Sequence, residues 1–365
     1  MPEQSPEARV VSGETWRDFC RALERAGQVV LRETSPADPF DRAEGFRYLS
    51  RLTRVALESY LEFADPGFPV LRRPAHETVK IGADNPDNYY QSAAISGAHD
   101  YRIWGTRGSI HYLGFGTYAG GYGSTGRRGQ DGYREASELE IGPDGAFELV
   151  VSAREHPGNW LPMQPDSSSL IVRQTFRDRA LERIAELRIE RLGSGPSPAP
   201  LTPAFLDRGL AMASAYVAGT SALFADWAAG FAQRPNQLPF FDPAVAAAAH
   251  GDPNIQYFHG YWELGPEQAL LIEVTPPACD YWNFQVNNWW MESLDYRYHR
   301  IALNHHEVQT RPDSSVCLVL AHADPGLPNW LETAGHQRGT MCLRWVGAAE
   351  RAQPTTRVAE LSELA

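Results

Sequence analysis

The first 69 residues repeat apolar side chains at the spacing of amphipathic helices. Apolar residues between positions 16 and 23 recur every three or four positions, on one face of a helix that Ser12 would cap. A second helix is predicted from Asp41 to Phe63, where a Pro-Gly turn ends the pattern. Residues 1–69 are therefore predicted to form an N-terminal helical segment.

Between residues 70 and 192 the pattern changes to an alternation of apolar and polar positions, which is typical of half-buried β-strands. Phe147, Leu149 and Val151 would point to the same side of one such strand. The segment is predicted to be a first antiparallel β-sandwich half.

The glycine-rich stretch 114–132 lies inside this first half. It contains a G-x-G-x-x-G match at 121–126, but no helix is predicted after it, so the context of a dinucleotide site is missing. We interpret the stretch as a loop, and whether that loop is a lid over a cleft stays open.

A helical pattern returns between residues 193 and 256. After a linker rich in Gly, Ser and Pro, Thr202-Pro203 is a good helix start, and the apolar period continues to Pro235. Residues 257–365 alternate again and are predicted to be a second β-sandwich half. Its strands are expected near residues 268–275, 281–290, 299–307, 315–321 and 340–346.

The two β halves share a sequence unit. A strand that begins at Asp144 leads into Pro-Gly-Asn-Trp-Leu at 157–161, and a strand that begins at Asp313 leads into Pro-Gly-Leu-Pro-Asn-Trp-Leu at 325–331. The Pro-Gly pair predicts a sharp turn, the Asn can satisfy backbone groups there, and the Trp can close one end of a core. The predicted fold class is α+β, with two related antiparallel β-sandwich halves, an N-terminal helical segment and a helical insertion between the halves.

The second half also resembles a known family. The segments YWNFQVNNWWMESLDYRYH, ALNHHEV and VLAHADPGLPNWLETAGHQRGTMCLRWV are similar to the C-terminal signature of a bacterial family catalogued as domain of unknown function 1214. GNWLPMQPDSSSLIVRQTF resembles the matching earlier segment. The resemblance, strongest over residues 260–350, implies halves of jelly-roll type and supplies no catalytic residues.

The charge balance argues against nucleic acid as a partner. The chain has 45 acidic and 33 basic residues and a net charge of −12, which repels phosphate backbones. Lys80 is the only lysine, so any Schiff-base chemistry would depend on it. There is no apolar signal-peptide core, no stretch that predicts a membrane span, and no C-x-x-C pair among the four cysteines. A cytoplasmic location without a membrane partner is expected.

Histidines and acidic residues near the C-terminus are the candidate catalytic groups. On a strand, His305 and Glu307 would share one face and could form an acid–base pair, but no third ligand at a diagnostic spacing indicates a metal site. His336, in the loop after the second Asn-Trp, is a candidate general acid or base near pH 7. Asp295 is the fourth candidate, and a structural ion pair with Arg297 is its alternative.

Aromatic and polar residues around position 290 have the composition of a small-molecule pocket. Trp289 or Trp290 would supply an apolar wall, while Asn287, Tyr296 and Arg297 would supply directed hydrogen bonds. The alternative is that the tryptophans fill the core.

These observations leave two main functional hypotheses. The first is a cofactor-independent enzyme, a lyase, isomerase or hydrolase, that acts by acid/base chemistry on a small, partly apolar molecule. The second is a non-catalytic protein that binds a small molecule or a carbohydrate by tryptophan stacking. A structural, oligomer-forming module is a third hypothesis, and a homo-oligomer is compatible with each. The expected partner is a small-molecule ligand, and neither a cofactor nor a metal is predicted.

Overall fold

The computed structural model of the protein describes residues 4–122, 127–193, 195 and 197–364. Part of the G-x-G-x-x-G match, residues 123–126, therefore lies outside the described residues. Among the described residues, no helix combines the length and the apolar character that crossing a bilayer requires. The α-helices of this part of the chain are α1 (Pro6–Ser12), α2 (Glu14–Gly27), α3 (Pro39–Leu57), α4 (Pro203–Phe231) and α5 (Pro243–Ala248).

Among the residues that the structure describes, eight strands precede the helix α4 and eight follow it. The first eight are β1 (Asn88–Ala94), β2 (Tyr101–Thr106), β3 (Tyr112–Ala119), β4 (Gly129–Glu135), β5 (Ala146–Ser152), β6 (Trp160–Pro162), β7 (Ser167–Thr175) and β8 (Glu186–Arg191). The second eight are β9 (Ile255–Glu263), β10 (Gln268–Val274), β11 (Tyr281–Val286), β12 (Ala302–Asn304), β13 (Val316–Ala321), β14 (Trp330–Glu332), β15 (Arg338–Val346) and β16 (Thr355–Glu360).

The chain divides into two compact units, each assembled from three separate segments. Unit 1 consists of Met1–Val30, Leu49–Val79 and Asp87–Ala222, and unit 2 consists of Leu31–Tyr48, Lys80–Pro86 and Leu223–Ala365. One boundary between the units falls within the α-helix α3 and another within α4, and each of these helices continues across its boundary. Each unit contains eight strands, so the α+β class with two β halves, an N-terminal helical segment and an intervening helix describes the fold.

The two halves use one strand order. The sheets of unit 1 run β1-β7-β3-β4 and β6-β5-β2-β8. Adding eight to every strand number turns them into β9-β15-β11-β12 and β14-β13-β10-β16, which are the two sheets of unit 2. Pairing is antiparallel except for the short pairs β5·β6 and β13·β14, which are parallel in both halves. The two halves are therefore related strand for strand.

Each unit packs its two sheets around an apolar core. In unit 1 the core includes Phe115 and Val172 from one sheet and Ile103 and Leu149 from the other. The predicted alternation holds on β5, where Phe147, Leu149 and Val151 are all buried. In unit 2 the corresponding residues of both sheets form a larger core, which includes Phe258, Phe284, Leu343, Trp345, Leu270, Ile272, Leu318 and Leu320.

The repeated Asn-Trp unit forms the same contacts twice. Asn159 accepts from the backbone N–H of Glu140 at 2.8 Å and donates to the carbonyls of Glu140 and Glu148, both at 2.9 Å. Asn329 accepts from the N–H of Gln309 at 2.8 Å and donates to the carbonyls of Gln309 and Cys317 at 2.9 and 3.0 Å. One amide thus joins the strand before the turn to the segment that precedes that strand. The sequence predicted that this Asn satisfies backbone groups, but placed those groups in the turn itself.

The tryptophans that follow these asparagines are also equivalent. The indole N–H of Trp160 donates to the Ser152 carbonyl at 3.2 Å, and that of Trp330 donates to the Ala321 carbonyl at 3.1 Å. Both carbonyls terminate the strand that pairs in parallel with the Trp strand. Each indole therefore caps the end of its short parallel pair.

The N-terminal helices differ from the prediction in their start. Ser12 is the last residue of α1 and does not cap α2; Gly13, with φ +75°, holds that position because the chain turns there through the left-handed region. Phe19 is buried as expected, but Trp16 is 60 % exposed, since the buried face of α2 runs through Thr15, Phe19 and Ala26.

Two predicted strands are shorter than expected. β11 ends at Val286, because Asn287 to Ser293 form a tight polar loop in which Asn288 and Glu292 exchange hydrogen bonds. β12 covers only Ala302–Asn304, and His305 to Glu307 form a turn. The strand predicted over 299–307 is wrong at both ends, since turns satisfy the backbone groups there.

Replacing Asn329 by Ala is expected to lower the free energy of unfolding by about 2 kcal/mol, because three backbone groups lose their partner at a nearly buried site. Asn159→Ala should cost less, since Asn159 is more exposed and water can replace its bonds. Urea denaturation of both variants measures the difference.

The control is Asn329→Gly, because Asn329 has φ +59° and Ala is strained there whereas Gly is not. N329G should therefore be more stable than N329A and less stable than the parent chain. Equal stabilities for N329A and the parent chain would contradict the role given to this amide.

Candidate acid–base site

The first turns of α3 place three carboxylates at intervals of three residues. Asp38 caps the helix, since its Oδ1 accepts from the N–H groups of Phe40 and Asp41 at 3.1 and 2.9 Å. Asp41 and Glu44 follow on the same side of the helix, because side chains three apart are neighbours. All three belong to unit 2. Asp41 is 4 % exposed and Glu44 7 %, so both carboxyls need compensating partners.

The partner of Glu44 is His336, from the loop between β14 and β15. Nε2 of His336 lies 2.7 Å from Oε2 of Glu44, and both side chains are buried. Nδ1 of His336 lies 2.9 Å from the carbonyl oxygen of Thr333, which can only accept a hydrogen bond. Since a ring with hydrogens on both nitrogens is an imidazolium, this geometry favours a charged His336 beside an ionised Glu44.

The electrostatics of the pair agree with that assignment. Burial lowers the pKa of His336, but the hydrogen bond and charge of Glu44 together with the Thr333 carbonyl outweigh burial, so the pKa is raised. Burial likewise raises the pKa of Glu44, and the bond to His336 outweighs it, so that pKa is lowered. Asn288 also hydrogen-bonds to the Glu44 side chain. Both shifts therefore favour the charged form of each partner.

Asp41 is the carboxyl of the group whose pKa lies near neutral pH. Burial, together with the hydrogen bond and charge of Asp38, raises the pKa of Asp41 from 3.8 to about 7, and the charges of Arg338 and His336 limit the rise. Nε of Arg338 lies 3.7 Å from Oδ2 of Asp41. A carboxyl with a pKa near 7 exchanges its proton readily at physiological pH.

We call these five residues, Asp38, Asp41, Glu44, His336 and Arg338, the acid–base cluster. Its outer rim is accessible, since Arg338 keeps 33 % of its side chain exposed and Phe40, whose ring lies edge-on to His336 at 4.8 Å, is 48 % exposed. The inner members are buried. The exposed rim of the cluster therefore combines the guanidinium of Arg338 with the apolar ring of Phe40.

A row of buried polar side chains continues from the cluster along the sheet β12-β11-β15-β9. Thr340 accepts from Asn287 at 3.3 Å and donates to the Asn288 carbonyl at 3.1 Å, while Gln285 donates to Asn287 at 2.5 Å and accepts from Arg344 at 2.6 Å. These residues lie on the face opposite the apolar core, as alternation on β11 and β15 requires.

The segment Lys80–Pro86 covers that row. The amine of Lys80 donates to the carbonyls of Ser293 and Leu294 at 2.5 and 2.6 Å and lies 4.6 Å from the centre of the Tyr296 ring. Asp84 accepts from the Ser293 N–H and hydroxyl, and burial raises the pKa of its carboxyl. The only lysine of the chain is therefore engaged in holding this segment down.

Three of the residues predicted from sequence meet at or near the acid–base cluster. His336 is a member, and Asn287 belongs to the polar row. Trp290 donates its indole N–H to the Asp41 carbonyl at 2.8 Å. Trp289 and Trp290 are 2 % and 0 % exposed, so the interpretation of either ring as the wall of an open cleft is wrong. The two rings pack against each other with their centres 4.8 Å apart.

The other predicted residues lie apart from the cluster. Asp295 pairs with Arg297 at 2.7 Å, and that hydrogen bond lowers the pKa of Asp295 to about 2, so it stays ionised. His305 and Glu307 lie in the turn after β12, where Glu307 accepts from the Asn304 N–H at 3.0 Å, so the shared strand face predicted for them does not exist. The ion pair that was the alternative for Asp295 is present.

Asp38, Asp41, Glu44 and Arg338 are the members that sequence analysis missed. Acidic residues in the first turn of a helix are ordinary because they complement the helix dipole, so they carried no signal of chemistry. Glu44 meets a partner 292 positions away. The spacing Asp-x-x-Asp-x-x-Glu, with Pro39 at the first helical position directly after Asp38, was the one available pattern, and it indicates a shared face rather than a site.

Metal binding has little support in these groups. Among the residues that the structure describes, no three His, Cys, Asp or Glu side chains come together as a metal-ligating set. The cluster itself joins two pairs of opposite charge, and Arg338 and the charged His336 would repel a cation.

Asp41→Asn is expected to flatten the pH dependence of stability between pH 4 and pH 7. A carboxyl with a raised folded pKa contributes stability that is complete below its unfolded pKa of 3.8 and is lost as pH rises to about 7. Asn keeps the hydrogen bond to Asp38 and has no proton to lose. Between pH 5 and pH 8 we expect the free energy of unfolding of D41N to exceed that of the parent chain by on the order of 1 kcal/mol. Urea denaturation measures this difference.

Asp226→Asn is the matched control, because Asp226 forms an exposed pair with Arg32 in the same unit. D226N should follow the pH dependence of the parent chain. Parallel curves for D41N and the parent chain would mean that the Asp41 carboxyl is ionised throughout this range.

Known proteins similar to this chain agree with its fold. A crystal structure of an uncharacterised protein from Burkholderia cenocepacia is 51 % identical and covers 98 % of this chain and 99 % of its own, with a TM-score of 0.96. The VPA0106 protein from Vibrio parahaemolyticus is 11 % identical, covers 87 % of this chain and 98 % of its own, and has a TM-score of 0.50, which indicates a shared fold alone.

No curated protein matches the chain. The family described as "Protein of unknown function (DUF1214)" matches residues 268–350, which run from β10 past the end of β15 and include His336, Arg338 and the polar row. The match and the identity over nearly the full length of the Burkholderia protein agree with the resemblance seen in the sequence. This chain belongs to the DUF1214 family.

Proposed function

We propose that the protein is an enzyme that moves a proton on a small, partly apolar molecule at the acid–base cluster, as an isomerase, lyase or hydrolase does. The observation that carries this proposal is the Asp41 carboxyl with a pKa of about 7, next to a charged His336–Glu44 pair. General acid–base catalysis is most effective when the pKa of the group lies near the working pH.

Asp41 is the proposed proton carrier. In its ionised form, Oδ2 accepts a proton from the substrate, and in its protonated form it returns one to another atom of the same substrate. In the first step a C–H or O–H bond of the substrate breaks, the carboxyl O–H forms, and the electron pair of the broken bond stays in the substrate. In the return step the carboxyl O–H breaks and a new C–H or O–H bond forms at the second atom, to which that electron pair has moved. Burial, together with the neighbouring Asp38, raises the pKa of this carboxyl.

His336 and Glu44 set the charge around that carboxyl. His336 is held by Glu44 on one side and by the Thr333 carbonyl on the other, so its positive charge is fixed in position. That charge lowers the pKa of Asp41 toward neutrality. In this proposal His336 positions and tunes the reacting group, which refines the general acid or base role predicted for it.

The rim of the cluster suggests what the substrate looks like. Arg338 offers a partly exposed guanidinium, which suits a carboxylate or a polarised carbonyl oxygen. Phe40 offers an exposed ring for an apolar part. The proposed step uses only side chains of this chain, and we propose no cofactor.

Asp295, His305 and Glu307 take no part in this proposal. Asp295 is ionised and tied to Arg297, so it can neither donate a proton at neutral pH nor serve as a strong base. Binding by tryptophan stacking, the second hypothesis, has no support at Trp289 or Trp290 because both rings are buried.

We also propose that the two halves arose by duplication of one jelly-roll-like unit, which the common strand order and the equivalent bonds of Asn159 and Asn329 support. A cytoplasmic location is proposed as well. It is supported by four cysteines that are all free, as is usual in a reducing compartment.

Proton transfer is tested without knowledge of the natural substrate by deuterium exchange. A mixture of small ketones, keto acids and hydroxy acids in D₂O is incubated with the protein, and loss of C–H signals is followed by proton NMR. We expect at least one compound to exchange at a rate that rises with pH through about 7, as Asp41 becomes a base. D41N should lower that rate about 100-fold or more.

Two further variants sharpen this test. His336→Gln should move the midpoint of the pH profile above 7, because the imidazolium no longer favours the ionised Asp41. D226N should leave rate and profile unchanged. The proposal fails if no compound exchanges above the protein-free rate, or if D41N exchanges as fast as the parent chain.

A further inference from the structure

Unit 1 carries a second group of polar side chains on the outer face of its sheet β1-β7-β3-β4. Its members come from the π-helical turn Glu58–Glu62, the segment before β1, the strands β3 and β7, the residue Tyr122 after β3, and the helix α4. We call it the tyrosine–arginine cluster, and it consists of Tyr60, Arg72, Tyr118, Tyr122, Arg173 and Tyr216.

The aromatic members surround a common region. The rings of Tyr60 and Tyr216 have centres 5.7 Å apart, and those of Tyr122 and Tyr216 are 6.1 Å apart. Tyr118 and Arg173 lie deepest, at 0 % and 8 % exposure, while Tyr60, Tyr122 and Tyr216 are partly exposed. A buried floor below a partly exposed rim is the arrangement of a recess rather than of a flat surface.

Two glycines on β3 leave room for tyrosine hydroxyl groups at the floor of this recess. A Cβ at Gly116 would lie 2.6 Å from the hydroxyl oxygen of Tyr118, and a Cβ at Gly114 would lie 2.6 Å from that of Tyr133. Any larger residue at either position would displace these hydroxyls. The two glycines therefore allow tyrosine hydroxyls to lie against the sheet, where the Tyr118 hydroxyl accepts from Arg173 at 2.8 Å.

Arg72 is the member whose bonding is incomplete. Its Nη2 donates to the Ser59 hydroxyl, whereas its Nη1 is buried and has no hydrogen-bond acceptor among the residues that the structure describes. Burial lowers the pKa of Arg72, and Tyr216, Glu58 and Tyr60 offset this only in part through their charges. A buried guanidinium donor without an acceptor is costly unless a ligand supplies one.

Arg173 brings a second positive charge to the same recess. Its Nη1 donates to the Tyr118 hydroxyl at 2.8 Å, and it interacts electrostatically with Tyr122. Two guanidinium groups and several tyrosine hydroxyls are all donors toward an anion. Arginine binds carboxylates with two parallel hydrogen bonds, and the rings provide apolar walls beside them.

The backbone that presents Tyr60 is itself unusual. The helix α3 passes directly into a π-helical turn at Glu58–Glu62, which adds a residue to the turn and re-aims the side chains that follow. Such turns are rare and are frequent at functional sites. Tyr60 and the Ser59 hydroxyl that anchors Arg72 both lie in this turn.

We propose that the tyrosine–arginine cluster binds the carboxylate of a small organic acid with an aromatic or similarly flat apolar body. The carboxylate accepts from Nη1 of Arg72, and the apolar body lies among the rings of Tyr60, Tyr122 and Tyr216. All residues of this site belong to unit 1, whereas those of the acid–base cluster belong to unit 2.

Sodium benzoate and sodium phenylacetate are the probes, and benzamide is the neutral isostere of benzoate. We expect at least one of the acids, at millimolar concentration and constant ionic strength, to raise the Tm of the full chain and to give a saturable calorimetric titration, while benzamide does neither. Arg72→Met should weaken binding of that acid about 10-fold or more, because the charge-assisted bonds are lost.

Two comparisons separate ligand binding from a structural role of Arg72. Arg102→Met is the matched control, since Arg102 forms ordinary ion pairs with Glu148 and Glu190 in the same unit, and it should bind as the parent chain does. Without ligand, R72M should have a Tm no lower than the parent chain, because a buried donor without an acceptor disappears.

The proposal is overturned if neither acid raises the Tm of the parent chain, if benzamide binds as well as benzoate, or if R72M binds as tightly as the parent chain. A lower Tm of ligand-free R72M, together with no response of the parent chain to either acid, would assign Arg72 a structural role only.

Discussion

A charge that is removed from water must be paired or neutralised, and this constraint organises unit 2. Glu44 and His336 satisfy it by forming a buried ion pair, which joins the first turn of α3 to the loop after β14. Asp41, left with a weaker ion partner and next to Asp38, satisfies it instead by a raised pKa. The ion pair and the carboxyl with the raised pKa are neighbours, because Glu44 and Asp41 lie three residues apart on one face of α3.

The two β halves place different polar side chains on one strand order. Arg173 and Arg344 occupy the same register position, each between a tyrosine of the outer strand and a residue of the next strand inward. In unit 1 that inward residue is Gly114, and tyrosine hydroxyls fill the space. In unit 2 it is Asn283, and a network of amides engages the arginine. Side chains on the face away from the core therefore diverge while strand order is retained.

Sequence patterns predicted the fold well wherever burial acts through neighbouring residues. Alternation located five strands of the second half, and the repeated Asn-Trp unit was recognised from its sequence. The partners of the asparagines were not predicted, because they lie on the preceding strand and the segment before it, 11 to 20 residues away. The prediction was poorest where the alternation continued past the end of a strand. His305 and Glu307 were expected on a strand that ends one residue earlier, at Asn304, because local hydrogen bonds of the turn replaced the ladder.

Periodicity and turn motifs were enough to predict the α+β class with two β halves and to bring His336 into the set of candidate residues. Which acids meet that histidine depends on the tertiary fold, because Glu44 and His336 are 292 positions apart and nothing in local periodicity encodes such a distance. The tertiary fold also sets the raised pKa of Asp41 and the incomplete bonding of Arg72 among the described residues, since both depend on burial by distant segments. Patterns along the chain report which face of an element is buried, whereas the chemistry of a site depends on what is buried against it.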